Sequence, residues 1–201
     1  KNKLDSFKRM NEQMREIVEF EAKQTEKIRA NEDNSLDERE LYKELRRYWN
    51  EDAPEQCKIA NDTFEGSHGA VSFRLFYPRQ SEGVKRNKCI IFFHGGGFTV
   101  GDIDTHEGIA RRMANETGAV VASVDYHLAP EFKFPVQLDE CEEFTCFLYN
   151  NADAYQIDKD NISLAGDSAG AHLSLATALK IRDKRKSIPE IKTMLLYYGS
   201  F

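Results

Sequence analysis

Apolar residues in the first 52 positions recur every three or four residues, as they do along one face of a helix. They are Phe7, Met10, Met14, Ile17 and Val18. The pattern predicts an amphipathic helix with a charged, solvated face, ended by Asn34 and Ser35, and a second helix over residues 36–49. The stripe is too short for several heptads, so a helical cap segment over residues 1–52 explains it better than a coiled coil.

Beyond the cap segment the spacing changes from that of helices to that of strands. Apolar and polar residues alternate over residues 71–77 and stop at Pro78, which predicts a half-buried antiparallel strand. Residues 89–93, Cys-Ile-Ile-Phe-Phe, are apolar without alternation. That composition is typical of a strand covered on both faces.

The rest of the chain alternates helical and strand patterns. The helical segments are 104–116 and 135–149, and the strand segments are 119–124, 161–166 and 192–198. Gly118 ends the first helix, and Pro135 takes the first helical position of the second. Such alternation predicts an α/β core over residues 53–201, with a mostly parallel sheet and helices on both faces. In this architecture the chemistry gathers at the carboxyl ends of the strands.

One strand pattern passes into a helix pattern through the sequence Gly166, Asp167, Ser168, Ala169, Gly170. The order of strand, sharp turn and helix is that of a nucleophile elbow. Ser168 would occupy a strained turn with its hydroxyl exposed, and Gly166 and Gly170 would let strand and helix approach closely. The same short motif also occurs in ordinary glycine-rich turns, but the flanking strand and helix favour the catalytic interpretation.

A second glycine-rich stretch, His-Gly-Gly-Gly at residues 94–97, directly follows the apolar strand. Consecutive glycines let backbone N–H groups face a ligand that a Cβ would obstruct, as an oxyanion hole requires. The glycine-rich stretch does not match the phosphate-binding motifs when residues are compared at the motif spacing. Asp102 stands where a P-loop needs lysine, and Val100 stands where a dinucleotide-binding motif needs its third glycine.

With both motifs, the chain resembles the hormone-sensitive-lipase-like family of α/β hydrolases, and within it the bacterial acetyl esterases. A third stretch, Asp-Tyr-His-Leu-Ala-Pro-Glu at residues 125–131, is similar to a family segment, with His127 where arginine is usual. The resemblance covers residues 60–201. It implies a three-layer α/β hydrolase fold with an N-terminal helical cap, hydrolysis of short-chain acyl esters, and no metal or organic cofactor.

Carried over position by position, the resemblance makes Ser168 the nucleophile that forms an acyl-enzyme. It assigns the oxyanion hole to the backbone N–H groups of Gly96, Gly97 and Ala169. By the same resemblance, the residues that support these two turns are His94, Gly95, Gly166, Asp167 and Gly170, together with Glu131.

A serine nucleophile needs a histidine base and an orienting carboxylate, which in this fold follow it in sequence. After Ser168 the sequence has one histidine, His172, on the same helix, where we expect packing or hydrogen bonding rather than proton transfer. His106, at a helix start, would line the pocket entrance. We therefore expect a longer esterase whose last strands, acid and base lie beyond Phe201. The alternative is a naturally short, non-catalytic ligand-binding relative, and peptidase activity is a third choice.

The charge balance bears on partners and location. With 28 Lys and Arg against 34 Asp and Glu, the net charge of −6 argues against nucleic acid or an anionic membrane as the main partner. A small-molecule ester is the expected partner. No apolar run reaches membrane-spanning length and the N-terminus has no signal-peptide pattern, so we expect a cytoplasmic location. The four cysteines form no Cys-x-x-Cys pair, which predicts free thiols rather than a zinc site.

Overall fold

The computed structural model describes residues 9–31, 36–56, 58–184 and 190–201. Its helices are α1 Glu12–Asn31, α2 Glu38–Asn50, α3 Glu107–Thr117, α4 Val136–Asn150 and α5 Ala169–Lys184. Its strands are β1 Lys58–Gly66, β2 Gly69–Tyr77, β3 Asn87–Phe93, β4 Val120–Val124, β5 Ile157–Asp167 and β6 Ile191–Tyr197. The sequence predictions that involve Phe7, Asn34, Ser35 and Cys57 fall outside the described residues.

The strands form one sheet in the order β1-β2-β4-β3-β5-β6. β3 runs parallel to β4 and β5, and β5 runs parallel to β6. β2 is antiparallel to both of its neighbours, β1 and β4. The predicted α/β hydrolase sheet, mostly parallel with an antiparallel strand near its start, is therefore confirmed.

Helices cover the sheet on both faces and make three layers. On one face, α4 and α5 pack on alternate strand side chains, among them Phe73, Leu75, Ile91, Phe93 and Leu164. On the opposite face, α3 places Ala110 and Ala114 against the intervening side chains, among them Phe76, Ile90, Phe92 and Val121. All of residues 89–93 are buried, as their unbroken apolar run predicts.

Within the α/β core, two helix starts differ from the predictions. α3 begins at Glu107 rather than at residue 104, because Asp102 and Thr105 form a turn of their own before it. The Asp102 N–H donates to Thr105 Oγ1 at 2.8 Å, and the Thr105 N–H donates to Asp102 Oδ1 at 2.7 Å. Pro135 occupies the N-cap position of α4 and not its first helical position.

The strand β1 was not located from the sequence because it is an edge strand with little apolar pattern. Phe64 is its one buried residue. β5 starts four residues earlier than predicted, because Ile157 is buried and pairs with Asn87 of β3 ahead of the alternating segment. Local periodicity is weak in both places, so tertiary pairing sets the bounds.

The two N-terminal helices lie against each other through aromatic rings, with Phe20 of α1 4.6 Å from Tyr48 of α2 between ring centroids. α2 begins with a capping box in which Asp37 accepts from the Arg39 and Glu40 amides at 2.8 Å. That residues 1–52 form a separate cap segment stays a prediction. In the described part of the chain, we find no helix with the length and apolar character of a membrane span.

Candidate active site

Ser168 lies at the turn between β5 and α5. Its φ is +49°, a left-handed conformation that is uncommon for a residue with a Cβ and that functional sites often hold. The Ser168 N–H donates to the Tyr197 carbonyl at the end of β6 at 2.9 Å, which fixes the turn against the neighbouring strand. The residue is partly exposed.

The glycines on either side of Ser168 let the turn press against the end of β3. A Cβ on Gly166 would lie 2.7 Å from the Phe93 carbonyl oxygen. A Cβ on Gly170 would lie 2.6 Å from the Phe93 carbonyl carbon and 2.8 Å from the His94 oxygen. Such distances leave no room for a side chain, and they bring the elbow to the point where the second glycine motif begins.

The second motif contacts the elbow directly, although the two are 72 positions apart in the chain. The Gly95 N–H donates to Asp167 Oδ1 at 2.8 Å. The loop then turns through Gly96 and Gly97, whose φ angles are +120° and +60°. At Gly96 this conformation is one that glycine alone adopts readily. The structure thus brings together the two motifs that the sequence analysis singled out.

Backbone donors around the elbow are left without acceptors. Among the described residues, the N–H groups of Gly96, Gly97 and Ala169 donate to no protein oxygen. Ala169 is the first residue of α5, where the helix leaves its N–H groups unpaired and carries a positive dipole end. Unpaired donors beside an exposed serine are what the stabilisation of an oxyanion requires.

His94 is buried and braces the glycine loop from behind. Its ring stacks on that of Tyr126 with centroids 4.3 Å apart, and the Tyr126 hydroxyl donates to the His94 carbonyl at 2.7 Å. His94 Nδ1 lies 2.7 Å from the Gly95 carbonyl, so this nitrogen carries the proton and donates. Burial, aided by the nearby His106, lowers the pKa of His94 to about 4. The imidazole is therefore neutral at neutral pH.

The buried carboxylate of Asp167 joins three segments. It accepts from the Gly95 N–H and, at 3.0 Å, from the Tyr198 hydroxyl. His106 Nε2 lies 3.5 Å from Asp167 Oδ1, a close polar contact without the geometry of a hydrogen bond. Burial raises the pKa of this carboxyl, but His106, Tyr198 and the Gly95 N–H outweigh it and hold the pKa below its ordinary value. Asp167 is thus a charged anchor between the elbow and the glycine loop.

The prediction that His106 lines the pocket entrance is wrong. The residue is only 2% exposed, at the start of α3, and its ring lies near those of Phe92 and His94. The turn of Asp102 and Thr105 ahead of α3 directs it inward, where Thr105 Oγ1 is 3.0 Å from His106 Nδ1. His106 supports Asp167 and does not face a substrate.

None of the five histidines is hydrogen-bonded to the Ser168 hydroxyl. His172 is occupied by the backbone of Ser200, whose N–H donates to His172 Nε2 at 3.0 Å, as its predicted hydrogen-bonding role requires. The other four have partners of their own, which are Asp139 for His68, Gly95 for His94, Asp167 and Thr105 for His106, and Glu140 for His127. Asp183 pairs with Arg182 on the surface, as expected of a solvated residue.

An apolar cavity of about 320 Å³ opens beside the glycine loop. Its wall includes Gly97, Phe98, Phe134, His172, Leu173 and Ala176. The cavity therefore lies between the loop that carries the unpaired amides and the helix that follows Ser168. Within the described ranges, no three His, Cys, Asp or Glu side chains are grouped as a metal site needs.

A family model described as the alpha/beta hydrolase fold matches residues 90–201, more than half of the chain. The chain belongs to the hormone-sensitive-lipase-like family of α/β hydrolases. The resemblance predicted from the sequence motifs is thus confirmed. The match begins within β3 and includes both glycine motifs.

Solved structures of esterases are similar to this α/β hydrolase chain. A hyperthermophilic esterase from the archaeon Pyrobaculum calidifontis is 33% identical, with 83% of this chain and 53% of that one covered and a TM-score of 0.76. The thermostable carboxylesterase EstE1, from a metagenomic library, is 30% identical, with 80% and 53% covered and a TM-score of 0.73. A bacterial heroin esterase is 26% identical, with 81% and 51% covered and a TM-score of 0.75. The chain spans about half the length of these structures.

Three residues that organise the site were not predicted from the sequence. Tyr198 directly follows β6, and Tyr126 lies two residues after the end of β4, so the rule that polar groups converge at the carboxyl ends of strands would have found them. Arg39 lies on α2 and hydrogen-bonds to Thr99, 60 positions away. No local pattern signals that contact.

Proposed function

We propose that the protein is a carboxylic ester hydrolase that forms an acyl-enzyme on Ser168. The family and its esterase relatives support carboxylesterase activity in general. The observation that carries the proposal is the convergence of the two motifs. Ser168, in a left-handed turn at the head of α5, adjoins a loop whose Gly96 and Gly97 N–H groups have no acceptor in the part of the chain that the structure describes.

The chemistry follows from these groups. The Ser168 oxygen attacks the ester carbonyl carbon while its proton passes to a histidine base. The N–H groups of Gly96, Gly97 and Ala169 hold the resulting oxyanion, and each such donor is typically worth about 2.7–4 kcal/mol in the transition state. Collapse expels the alcohol, which takes up the proton, and water then releases the acid from the acyl-serine.

The base and its carboxylate are part of the proposal. Each of the five histidines has a partner other than Ser168. In this fold the acid and the histidine follow the nucleophile in sequence. We therefore assign them to positions downstream of Phe201, within the length of the esterase relatives that this chain does not span.

The substrate class we propose is short-chain acyl esters, of the acetyl type. The apolar cavity beside Gly97 supports this choice, because an aliphatic acyl group bound against Phe98, Leu173 and Ala176 would be buried from water. Burial of each methylene is worth about 0.8 kcal/mol, so a few carbons suffice for selection. The acidic chain, with a net charge of −6, suits a neutral ester better than an anionic polymer.

Substitution of Ser168 by alanine in the full-length protein tests the mechanism. We expect turnover of nitrophenyl acetate and nitrophenyl butyrate to fall by at least about 10⁴-fold, because no other group forms the acyl-enzyme. Ser72→Ala is the control, because Ser72 lies on the wall of the separate polar cavity near Asp102 and Asp125. Full activity in Ser168→Ala, or an equal loss of activity in Ser168→Ala and Ser72→Ala, would refute the mechanism.

The second candidate is a non-catalytic, ligand-binding member of the same fold. The observation that favours it is that no histidine contacts the Ser168 hydroxyl within this chain. A fluorophosphonate probe separates the two, since rapid labelling needs a serine whose proton is relayed to a base. Rapid labelling of Ser168 supports the esterase, and an unlabelled full-length protein supports the binding module.

A further inference from the structure

Arg39, near the start of α2, hydrogen-bonds to two distant segments of the core. Its Nε donates to the Thr99 carbonyl at 2.8 Å, and its Nη2 donates to the Ala129 carbonyl at 2.9 Å. Nη2 and Nη1 also donate to the two carboxylate oxygens of Glu131, at 2.6 and 3.1 Å. We call Arg39, Thr99, Ala129 and Glu131 the Arg39 clamp.

Both carbonyls of the clamp belong to residues that hold the glycine loop. The Thr99 N–H donates to the Gly96 carbonyl at 3.1 Å. The Ala129 N–H donates to the Phe98 carbonyl at 2.8 Å. Arg39 therefore connects two residues that each hydrogen-bond to the loop, one at its start and one at its end.

The loop needs such external support because its backbone is strained. Gly96, Gly97 and Phe98 have φ angles of +120°, +60° and +65° in succession. For Phe98 the left-handed region is costly, and such conformations persist only where the surrounding structure over-determines them. A planar guanidinium with several donors in a fixed fork can hold two carbonyls and a carboxylate at once.

We propose that Arg39 is a positioning residue for the oxyanion hole, holding the Gly96 and Gly97 N–H groups in the geometry that receives the developing charge. This inference rests on the proposed esterase function of Ser168. On this inference the precision of a loop next to the nucleophile depends on one side chain of α2, Arg39, which contacts no reacting atom.

The hydrogen bonds to the carbonyls matter more than the ion pair. The Arg39 and Glu131 side chains are 38% and 55% exposed, and an exposed ion pair contributes little. The carboxylate instead orients the guanidinium toward Thr99 and Ala129. Glu131→Gln should therefore be milder than Arg39→Ala, and Arg39→Lys should be intermediate, because an ammonium lacks the planar fork.

The test uses the full-length protein and four variants: Arg39→Ala, Arg39→Lys, Glu131→Gln and, as matched control, Arg47→Ala. Arg47 lies on the same helix, but of the residues described its side chain pairs with Glu44 alone, at 2.7 Å. We expect Arg39→Ala to lower kcat by about ten- to a hundred-fold with KM within about twofold, since a displacement of about 1 Å has effects of this size. Arg47→Ala should keep the wild-type kcat.

Two further measurements distinguish positioning from general stability. The inhibition constant of a trifluoromethyl ketone, which forms an oxyanion adduct, should rise in Arg39→Ala by the same factor as kcat falls. Hydrogen exchange should become faster at the Thr99 and Val100 amides, both of which donate to the Gly96 carbonyl at 3.1 Å. If Arg39→Ala does not fold, the same comparison of kcat, inhibition constant and hydrogen exchange is made on Arg39→Lys.

Several outcomes overturn the inference. If Arg39→Ala lowers the melting temperature but keeps kcat and ketone affinity, Arg39 is only a structural contact. If Arg47→Ala loses as much kcat as Arg39→Ala, the effect is one of charge. If the wild-type enzyme is active and Arg39→Ala has the same kcat and ketone affinity, the role of Arg39 is refuted and the proposed function stands. If the wild-type protein shows neither turnover nor labelling by the fluorophosphonate, the proposed function is refuted and this inference with it.

Discussion

Gly170 offers the sharpest check on the geometry of the elbow. It is the second residue of α5, where the helix meets the end of β3. A Cβ at this position would lie 2.6 Å from the Phe93 carbonyl carbon and 2.8 Å from the His94 oxygen, and closer still to the Phe93 oxygen. All three are backbone atoms at the end of a central strand, so no side-chain rotation relieves the contact.

Gly170→Ala has two opposing effects on the free energy of unfolding, and their magnitudes decide whether the variant is more or less stable. Alanine is favoured over glycine within a helix by about 1 kcal/mol, which would stabilise the variant. Against this, the 2.6 Å contact with the Phe93 carbonyl carbon must lengthen by about 0.8 Å to reach the 3.4 Å of ordinary packing, and the closer contact with the Phe93 oxygen must lengthen by more. Overpacking of a core costs about 1–3 kcal/mol, and rigid backbone atoms put this site at the upper end. We expect a net loss of about 2 kcal/mol.

The catalytic effect of Gly170→Ala should exceed its effect on stability. Relief of the clash moves the head of α5, and with it Ser168, by at least about 1 Å relative to the glycine loop. A shift of that size costs about 10²-fold in rate. The free energy of unfolding is measured by urea denaturation, and kcat is measured on a nitrophenyl ester, both on the full-length protein.

Gly118→Ala is the control for Gly170→Ala. Gly118 ends α3 with a φ of +67°, but a Cβ there meets nothing within 4 Å. Its cost is the left-handed strain alone, about 1–2 kcal/mol, and kcat should not change. If Gly170→Ala is as stable and as active as wild type, then α5 and β3 do not approach each other at the elbow as closely as the structure has them.

Two further predictions concern buried titratable groups. Burial depresses the pKa of His94 to about 4, so below its unfolded pKa of about 6.5 the unfolded chain binds the extra proton. The free energy of unfolding should therefore fall by on the order of 3 kcal/mol between pH 6.5 and pH 4. Urea denaturation of His94→Gln over the same pH range should not show this fall. Glu140 is fully buried and accepts from His127 Nδ1 at 2.5 Å. His127→Ala should lower the free energy of unfolding by about 1–3 kcal/mol, because one oxygen of the buried Glu140 carboxylate loses its donor. His127→Arg, which restores the residue usual in the family, should cost much less, and equal losses in urea denaturation would contradict this prediction.

Local features of the chain could be predicted because short-range physical chemistry determines them. An unbroken apolar run at residues 89–93 has no favourable place except a strand covered on both faces, and this is where the structure has β3. The order of strand, glycine-flanked serine and helix around Ser168 likewise needs only neighbouring residues to specify it. Both the α/β fold and the two motifs of the candidate site follow from such signals.

Other features depend on contacts between residues far apart in sequence. His106 was expected at a pocket entrance, but the turn ahead of α3 buries it against Asp167. Arg39 has no neighbour in sequence that reveals its bonds to Thr99 and Ala129. Periodicity and turn chemistry act over a few residues, so they determined the elements and the motifs by themselves. The partners of a buried charge or an outlying arginine were decided only when the sheet brought distant segments within hydrogen-bonding distance.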